Sequence, residues 1–382
     1  MGTSADGLVL AVNSGSSSLK FGLYAAKNEE EIAVLEGGAD GIGQPIGRLR
    51  IEDAQNQDPQ KKVLLDEKYT LAGQGEALVE IVQAVGRFSK ASPVAVGHRV
   101  VHGGPHLREH IRITPAVIKT LNESVHFAPV HIPASVALIR KAEELFPDTP
   151  QFACFDTAFH ATLPAVSFRF GLPTELYRKG VQRFGFHGLS YESIVRRLGP
   201  SIPSRTICAH LGNGASLAAL RDGRSVDTSM GLTPTGGIPM ATRSGDLDPG
   251  VLLFLMRTEK LGADDLEKLL NHQSGLIALS NGRSDMRELQ DAAARGDGDA
   301  LLAVNVFAGA VRKFIGAYAA ELGGLDLLVF TGGIGEHSSY VRKSILEGME
   351  FLGLNEPSPK VKVMKSEEEV QIANHCRRLL QA

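Results

Sequence analysis

Residues able to do chemistry gather in a few short stretches of the 382-residue chain. Asn13-Ser14-Gly15-Ser16-Ser17-Ser18 follows the apolar run Leu8 to Val12. Leu211-Gly212-Asn213-Gly214-Ala215-Ser216 follows Thr206 to His210. Small residues in tight turns aim backbone N–H groups at an anion. Asn13, Ser16, Ser18 and Lys20 add side-chain donors and one cation to the first turn; His210 and Asn213 do so for the second. For either stretch alone, a plain hairpin turn tolerant of positive φ is the alternative. A third loop, Thr331-Gly332-Gly333-Ile334-Gly335-Glu336, lies between an apolar strand (Leu325 to Phe330) and a helix-spaced segment (Ser338 to Glu347). Strand, glycine turn, helix is the geometry of a ligand loop in an α/β sheet. Neither GxxxxGK[ST] nor a strand followed by GxGxxG occurs, so the common nucleotide fingerprints are missing.

Charged and imidazole groups cluster near these turns. Arg99 lies in His98-Arg99-Val100-Val101-His102-Gly103-Gly104 and Arg243 in Ala241-Thr242-Arg243-Ser244-Gly245-Asp246. A guanidinium fork suits carboxylate and phosphoryl oxygens; a solvated surface charge is the alternative. Asp156 ends the apolar run Phe152 to Phe155. There it either faces a ligand crevice or caps the next helix. His98, His102, His106 and His110 recur every four residues, but Gly103, Gly104 and Pro105 break any helix that would align them for a metal. His131, His187 and His210 stand singly, each a core histidine or a ligand-facing one. Gly185 and Gly188 flank Phe186-His187 and would let a ligand approach closely.

Elements must position these groups. Two strand–turn–strand units about 200 residues apart point to a duplicated fold, with chance hairpins as the alternative. Spacing predicts helices over Gly75–Phe88, Ala134–Leu145, Tyr191–Leu198, Pro249–Glu259, Ala263–Leu270, Ala300–Leu322 and Glu367–Leu380. The polar stretch from Asn28 to Glu67 reads as a hairpin-rich insertion. The whole is α/β with two lobes. Lys plus Arg is 40 and Asp plus Glu is 43, a net charge of −3, which argues against a general nucleic-acid binder. The 42 glycines are about 11% of the chain against a usual ~7%. Cys154, Cys208 and Cys376 are widely spaced without a CxxC pair, so a disulfide framework is not expected and a reducing compartment is. No signal peptide and no apolar run of ~20 residues is read, so a cytoplasmic protein without a membrane span is expected.

Together these motifs resemble the acetate and propionate kinase family of the actin/hexokinase/sugar-kinase superfold. The likeness runs from Asn13 to Ala373. It also rests on Phe155-Asp156-Thr157-Ala158-Phe159-His160, Gly185-Phe186-His187-Gly188 and His210-Leu211-Gly212-Asn213-Gly214. It implies a two-lobed, duplicated actin-like ATPase fold with a ribonuclease H-like core in each lobe, divided as 1–155 with 370–382 and 156–369. It implies phosphoryl transfer between ATP and acetate, giving acetyl phosphate and ADP, with propionate or another short-chain carboxylate as the rival substrate. It implies Mg2+ (or Mn2+) at Asn13 and Glu368, with Glu367 and Glu369 as neighbouring candidates. Lys20, Ser16, Ser18, His210, Leu211, Gly212, Asn213, Gly214, Asp285, Met286, Arg287, Gly332, Gly333, Ile334, Gly335 and Glu336 resemble the family's ATP contacts. Arg99 resembles its carboxylate-binding arginine, Asp156 its active-site acid, and His187 and Arg243 its transition-state stabilisers. Val101, Val130, His131, Phe186 and Pro234 resemble its acyl pocket. The family implies a homodimer. Where it usually reads Gly-Thr-Ser-His after the stabilising histidine, this chain reads Gly188-Leu189-Ser190-Tyr191. Because carboxyl pKa values lie near 4, an acetate nucleophile is already ionised and needs no general base. Asp156 is then expected to orient an arginine or a metal-bound water.

Overall fold

The computed structural model describes residues 7–15, 17–28, 30–354 and 357–382, so Ser16 lies outside the described residues. The chain divides into two compact units, Met1–Ala158 with Glu367–Ala382, and Phe159–Ser366.

The first unit is built on a sheet ordered β5-β4-β3-β2-β1-β6-β8-β7. Its strands are β1 (Val9–Ser14), β2 (Ser18–Lys27), β3 (Glu30–Asp40), β4 (Gly47–Asp53), β5 (Val63–Tyr69), β6 (Ala95–Val100), β7 (Ile111–Arg112) and β8 (Gln151–Phe155). Val9 to Val12 and all of β8 are buried on both faces, as befits strands of the parallel part of the sheet, β1-β6-β8. β4 instead alternates: Leu49 and Ile51 are buried while Arg48 and Arg50 are exposed, the mark of one solvated face. The expected hairpin-rich stretch is this antiparallel meander, β2 to β5. Leu10, Val12, Phe21, Leu23 and Ile51 pack with Leu78 and Ile81 of helix Gln74–Phe88 and Leu138 of helix His131–Leu145. Each such side chain contributes about 1.5–3 kcal/mol on burial. The C-terminal helix Glu368–Gln381 also belongs here and packs across β1 and β6.

The second unit carries β9 (Arg205–Leu211), β10 (Ala215–Arg221), β11 (Arg224–Thr228), β12 (Leu327–Thr331) and β13 (Val361–Val363), ordered β11-β10-β9-β12-β13. The expected duplication is visible in the pairing. β3-β2-β1-β6-β8 and β11-β10-β9-β12-β13 share one order, an antiparallel meander continued by two parallel strands. Helix Gly298–Leu322 backs the second sheet, burying Phe307, Val311, Ile315 and Tyr318. Asp297 caps its start, accepting from the backbone N–H of Asp299 and Ala300, and Gly323 ends it in the left-handed region at φ 72. By length and composition it is the one helix among the described residues that could cross a membrane; its buried residues pack against β9, β10 and neighbouring helices.

Several elements differ from expectation. Helix His131–Leu145 begins three residues before Ala134, because Pro133 sits in its first turn, where a missing N–H costs nothing. Gly332–His337 is a short helix rather than a turn. Arg99 lies inside β6, one residue before its end at Val100. Helices Pro115–Glu123 and Met286–Ala294 were not anticipated. The four-residue histidine repeat forms no helix: His98 is in β6, and His102 and His106 are in the turns that follow.

Candidate active site

In the first unit, the parallel strands β1, β6 and β8 bring Asn13, Arg99 and Asp156 to their carboxyl ends, where open α/β sheets bind ligands. Arg99 Nε donates to Asp156 Oδ1 at 3.1 Å and Oδ2 at 3.0 Å, and its Nη2 donates to Oδ2 at 2.6 Å. Nη1 turns to Asn13 Oδ1 at 3.2 Å. Asp156 is 1% exposed. Burial pushes the Arg99 guanidinium towards the neutral form, but the Asp156 charge, then that of Glu368, outweigh it and raise its pKa.

The C-terminal helix presents its first turn to the same place. Asn13 Nδ2 donates to Glu368 Oε2 at 2.9 Å and to Glu369 Oε1 at 2.8 Å. Both acids therefore reach the position expected of Glu368, while Glu367 precedes the helix as its cap residue. Burial, then the neighbouring Glu368 charge, holds the Glu369 carboxyl above the usual range; Lys20 and Asn13 pull the other way. Lys20 is the cross-strand partner of Asn13 and is exposed. The adjacent Glu368 and Glu369 carboxylates are the hard oxygen donors that Mg2+ prefers, and a divalent cation would relieve the repulsion between them; the Asn13 side chain would have to turn its oxygen from Arg99 to join them. The residues present fit such an ion.

A second constellation lies in the second unit. His187 precedes helix Gly188–Leu198 in the left-handed region, φ 59 and ψ 25. Its ring stacks on His210, with centroids 4.3 Å apart. Its Nδ1 meets Ser216 Oγ at 2.8 Å, and Ser216 Oγ meets the Tyr191 hydroxyl at 2.5 Å. A methyl placed on Gly214 would sit 3.2 Å from His187 Nε2 and 3.6 Å from Arg243 Nη1. The two side chains therefore converge on the Gly214 backbone. Arg243 Nη1 also donates to the Pro234 carbonyl at 3.1 Å. Buried His160 fixes the preceding loop. Its Nε2 donates to the Phe186 carbonyl at 3.1 Å and its Nδ1 accepts from Ser225 Oγ at 2.8 Å; burial lowers its pKa to about 4, so it is neutral.

The glycine loops meet at neighbouring strand ends. Thr331 and His210 are register partners on β12 and β9. Gly332 has φ +78, and a Cβ there would fall 2.7 Å from the Leu211 carbonyl oxygen. Glu336 Oε1 closes the turn, accepting from the N–H of Gly332 and of Ser366, each at 3.0 Å. Gly332→Ala is expected to cost more than the roughly 1–2 kcal/mol of a left-handed L-residue, because the clash adds to it. The thermal midpoint should fall by several degrees; an unchanged midpoint would show that Leu211 gives way. Asp285 caps helix Met286–Ala294, accepting from Arg287 N at 2.7 Å. The Arg287 side chain also binds it, holding its carboxyl down at about 2. Met286 is buried. Of the expected acyl-pocket residues, Val130 is 57% exposed, Val101 and His131 are half-buried, and Phe186 and Pro234 are buried. Tyr191, Ser216 and His160 were not anticipated as site neighbours. Each lay in or beside a quoted motif, but nothing in the spacing shows which side chains touch.

A model of the acetokinase family matches residues 8–378. The acetate kinase of Treponema denticola is 42% identical over 366 residues, covering 93% of this chain and 90% of that protein. That of Clavibacter michiganensis subsp. michiganensis is 43% identical over 366 residues, covering 94% and 91%. The crystal structure of Porphyromonas gingivalis acetate kinase superposes with a TM-score of 0.83 at 36% identity, over 98% of this chain and 100% of that one. A propionate kinase from Francisella tularensis subsp. tularensis superposes at 0.87 with 32% identity, again over 98% and 100%. The molecule is thus a kinase on a duplicated α/β fold. The chain belongs to the acetokinase family.

Proposed function

We propose that the chain transfers the terminal phosphoryl group of ATP to the carboxylate of acetate, reversibly and in line, yielding acetyl phosphate and ADP. The observation that carries this reading is the convergence of His187 and Arg243 on the Gly214 backbone, two donors of the kind that neutralise equatorial phosphoryl oxygens. Arg99, held by three contacts to Asp156, binds the acyl carboxylate. Asp156 orients that arginine and takes no proton. His210 to Gly214, Asp285 to Arg287 and Gly332 to Glu336 hold the nucleotide with Ser18 and Lys20. Asn13 and Glu368, with Glu369 beside them, would hold Mg2+ or Mn2+, and that ion would supply charge neutralisation on the phosphates. A hydroxylamine-trapping assay with acetate, propionate and butyrate tests the reading; no acyl phosphate from any of them would refute it.

Propionate is the second reading, favoured by the propionate kinase among the similar structures. A buried methylene contributes only about 0.8 kcal/mol, so the two acids differ modestly unless a wall clashes. Val101→Ala should move the kcat/KM ratio towards propionate. An unmoved or reversed ratio would take Val101 out of the acyl pocket.

A cytoplasmic homodimer goes with this reading. Helix Pro249–Thr258 buries none of its residues and exposes Val251, Leu253, Phe254 and Met256 beside Leu247. An apolar face of that kind is a partner surface. The double variant Leu253→Asp/Phe254→Asp should run as a monomer in light scattering at micromolar concentration, where the unmodified chain runs as a dimer. A dimeric variant would place the interface elsewhere.

A further inference from the structure

We infer that Tyr191 and Ser216 are positioning residues that lock His187 in the neutral form carrying its proton on Nε2, so that it meets the phosphoryl group as a hydrogen-bond donor. This rests on the role proposed above for His187. Ser216 Oγ is fully buried and its partners are His187 Nδ1, at 2.8 Å, and the Tyr191 hydroxyl, at 2.5 Å. Its single proton must therefore go to one of them. If it went to Tyr191, Nδ1–H would donate to Ser216. A neutral His187 would then turn a bare Nε2 lone pair towards the Gly214 backbone and any anion there. If Tyr191 donates to Ser216 and Ser216 donates to Nδ1, the lone pair is used up inside the protein. Nε2–H is then left facing outwards.

Two features favour this second order over a doubly protonated ring. The Arg243 guanidinium approaches the same Gly214 backbone, and a second cation there would be repelled. His210 also stacks on the His187 ring at 4.3 Å, and two stacked imidazolium ions repel in the same way. A phenol is a stronger acid than an alcohol, so Tyr191 is the natural donor at the head of the chain. The His187 backbone lies in the left-handed region where helix Gly188–Leu198 starts, and its ring is held by the stack on His210 and the Nδ1–Ser216 contact. The four-residue step from His187 to Tyr191 sets both side chains on one face of that helix, over Ser216 of β10.

The test is 15N NMR of histidine-labelled full-length protein, with His187→Gln used to assign the signal, on the unmodified chain, Ser216→Ala and Tyr191→Phe. The expected result is the Nε2–H tautomer at pH 7.5 in the unmodified chain. Each variant should show a substantial Nδ1–H population. In parallel, Ser216→Ala should lower kcat by about 10–100-fold with the KM for ATP little changed, and Ser216→Thr, which keeps the hydroxyl, should restore most of it. An imidazolium or Nδ1–H ring in the unmodified chain would overturn the inference, as would a tautomer that neither variant moves. If the tautomer shifts as expected but the unmodified chain makes no acyl phosphate, the positioning stands and the proposed function fails.

Discussion

Replacing Arg243 with alanine lowers kcat by at least about 10³ while leaving the fold intact. The magnitude follows arginine-finger effects of about 10³–10⁵, where one guanidinium offsets charge spreading over three phosphoryl oxygens. The intact fold follows from how the loop is held. The Arg243 carbonyl accepts from Met240 N–H at 2.9 Å, Ser244 N–H donates to the Leu270 carbonyl at 3.0 Å, and Thr242 Oγ1 donates to the Asn271 carbonyl at 2.7 Å. None of these uses the guanidinium, whose protein contacts include the Pro234 carbonyl and the Met240 sulfur. Arg243→Lys should rescue little, because a compact ammonium cannot contact two oxygens in a plane. The measurement is kcat at saturating acetate and ATP, with circular dichroism to confirm folding. A loss below tenfold would remove Arg243 from the reaction.

Much of this architecture was legible as hydrophobic runs closed by small residues. β1 and β12 carry continuous apolar runs, and β9 the shorter run Ile207 to Ala209, because both faces are covered there, and their turns announce themselves as Asn-Ser-Gly, Gly-Asn-Gly and Thr-Gly-Gly. Helix Pro115–Glu123 escaped because nine residues with only Val117 and Leu121 buried show too little periodicity, although Thr114-Pro115 is a proper start signal. Helix Met286–Ala294 escaped because Asp285 was read for its ligand chemistry while its carboxylate serves as the cap. Contacts across the chain had no local signal. Arg99 and Asp156 are 57 residues apart and Asn13 and Glu368 are 355 apart; only the strand order β1-β6-β8 and the return of the last helix join them. The choice among Glu367, Glu368 and Glu369 was open for the same reason. Asn13 has two amide hydrogens, and two of the three acids use them.

Asp156→Asn tests the first unit as Arg243→Ala tests the second. The amide keeps one oxygen for Arg99 but turns an N–H towards a guanidinium that has only donors. With Asp156 1% exposed and the Arg99 side chain 16% exposed, the pair is largely shielded from water. Removing one partner of such a pair costs up to about 3–5 kcal/mol, because the remaining charge stays buried. The amide, being neutral and partly bonded, should fall towards the lower end. Arg99 keeps its Asn13 contact and its 4.0 Å approach to Glu368, so it drifts towards the glutamates rather than into solvent. A displacement of about 1 Å at a positioning group costs on the order of 10² in rate. Asp156→Asn should therefore lose stability in urea and at least that factor in kcat. Arg99→Ala should lose comparable activity, and the double variant should be less destabilised than the sum of the two, with a coupling of about 0.5–3 kcal/mol. Full turnover in Asp156→Asn with unchanged metal affinity would show that the carboxylate orients nothing. Strict additivity would show that the ion pair does not act as a unit, and Arg99 would then need another anchor.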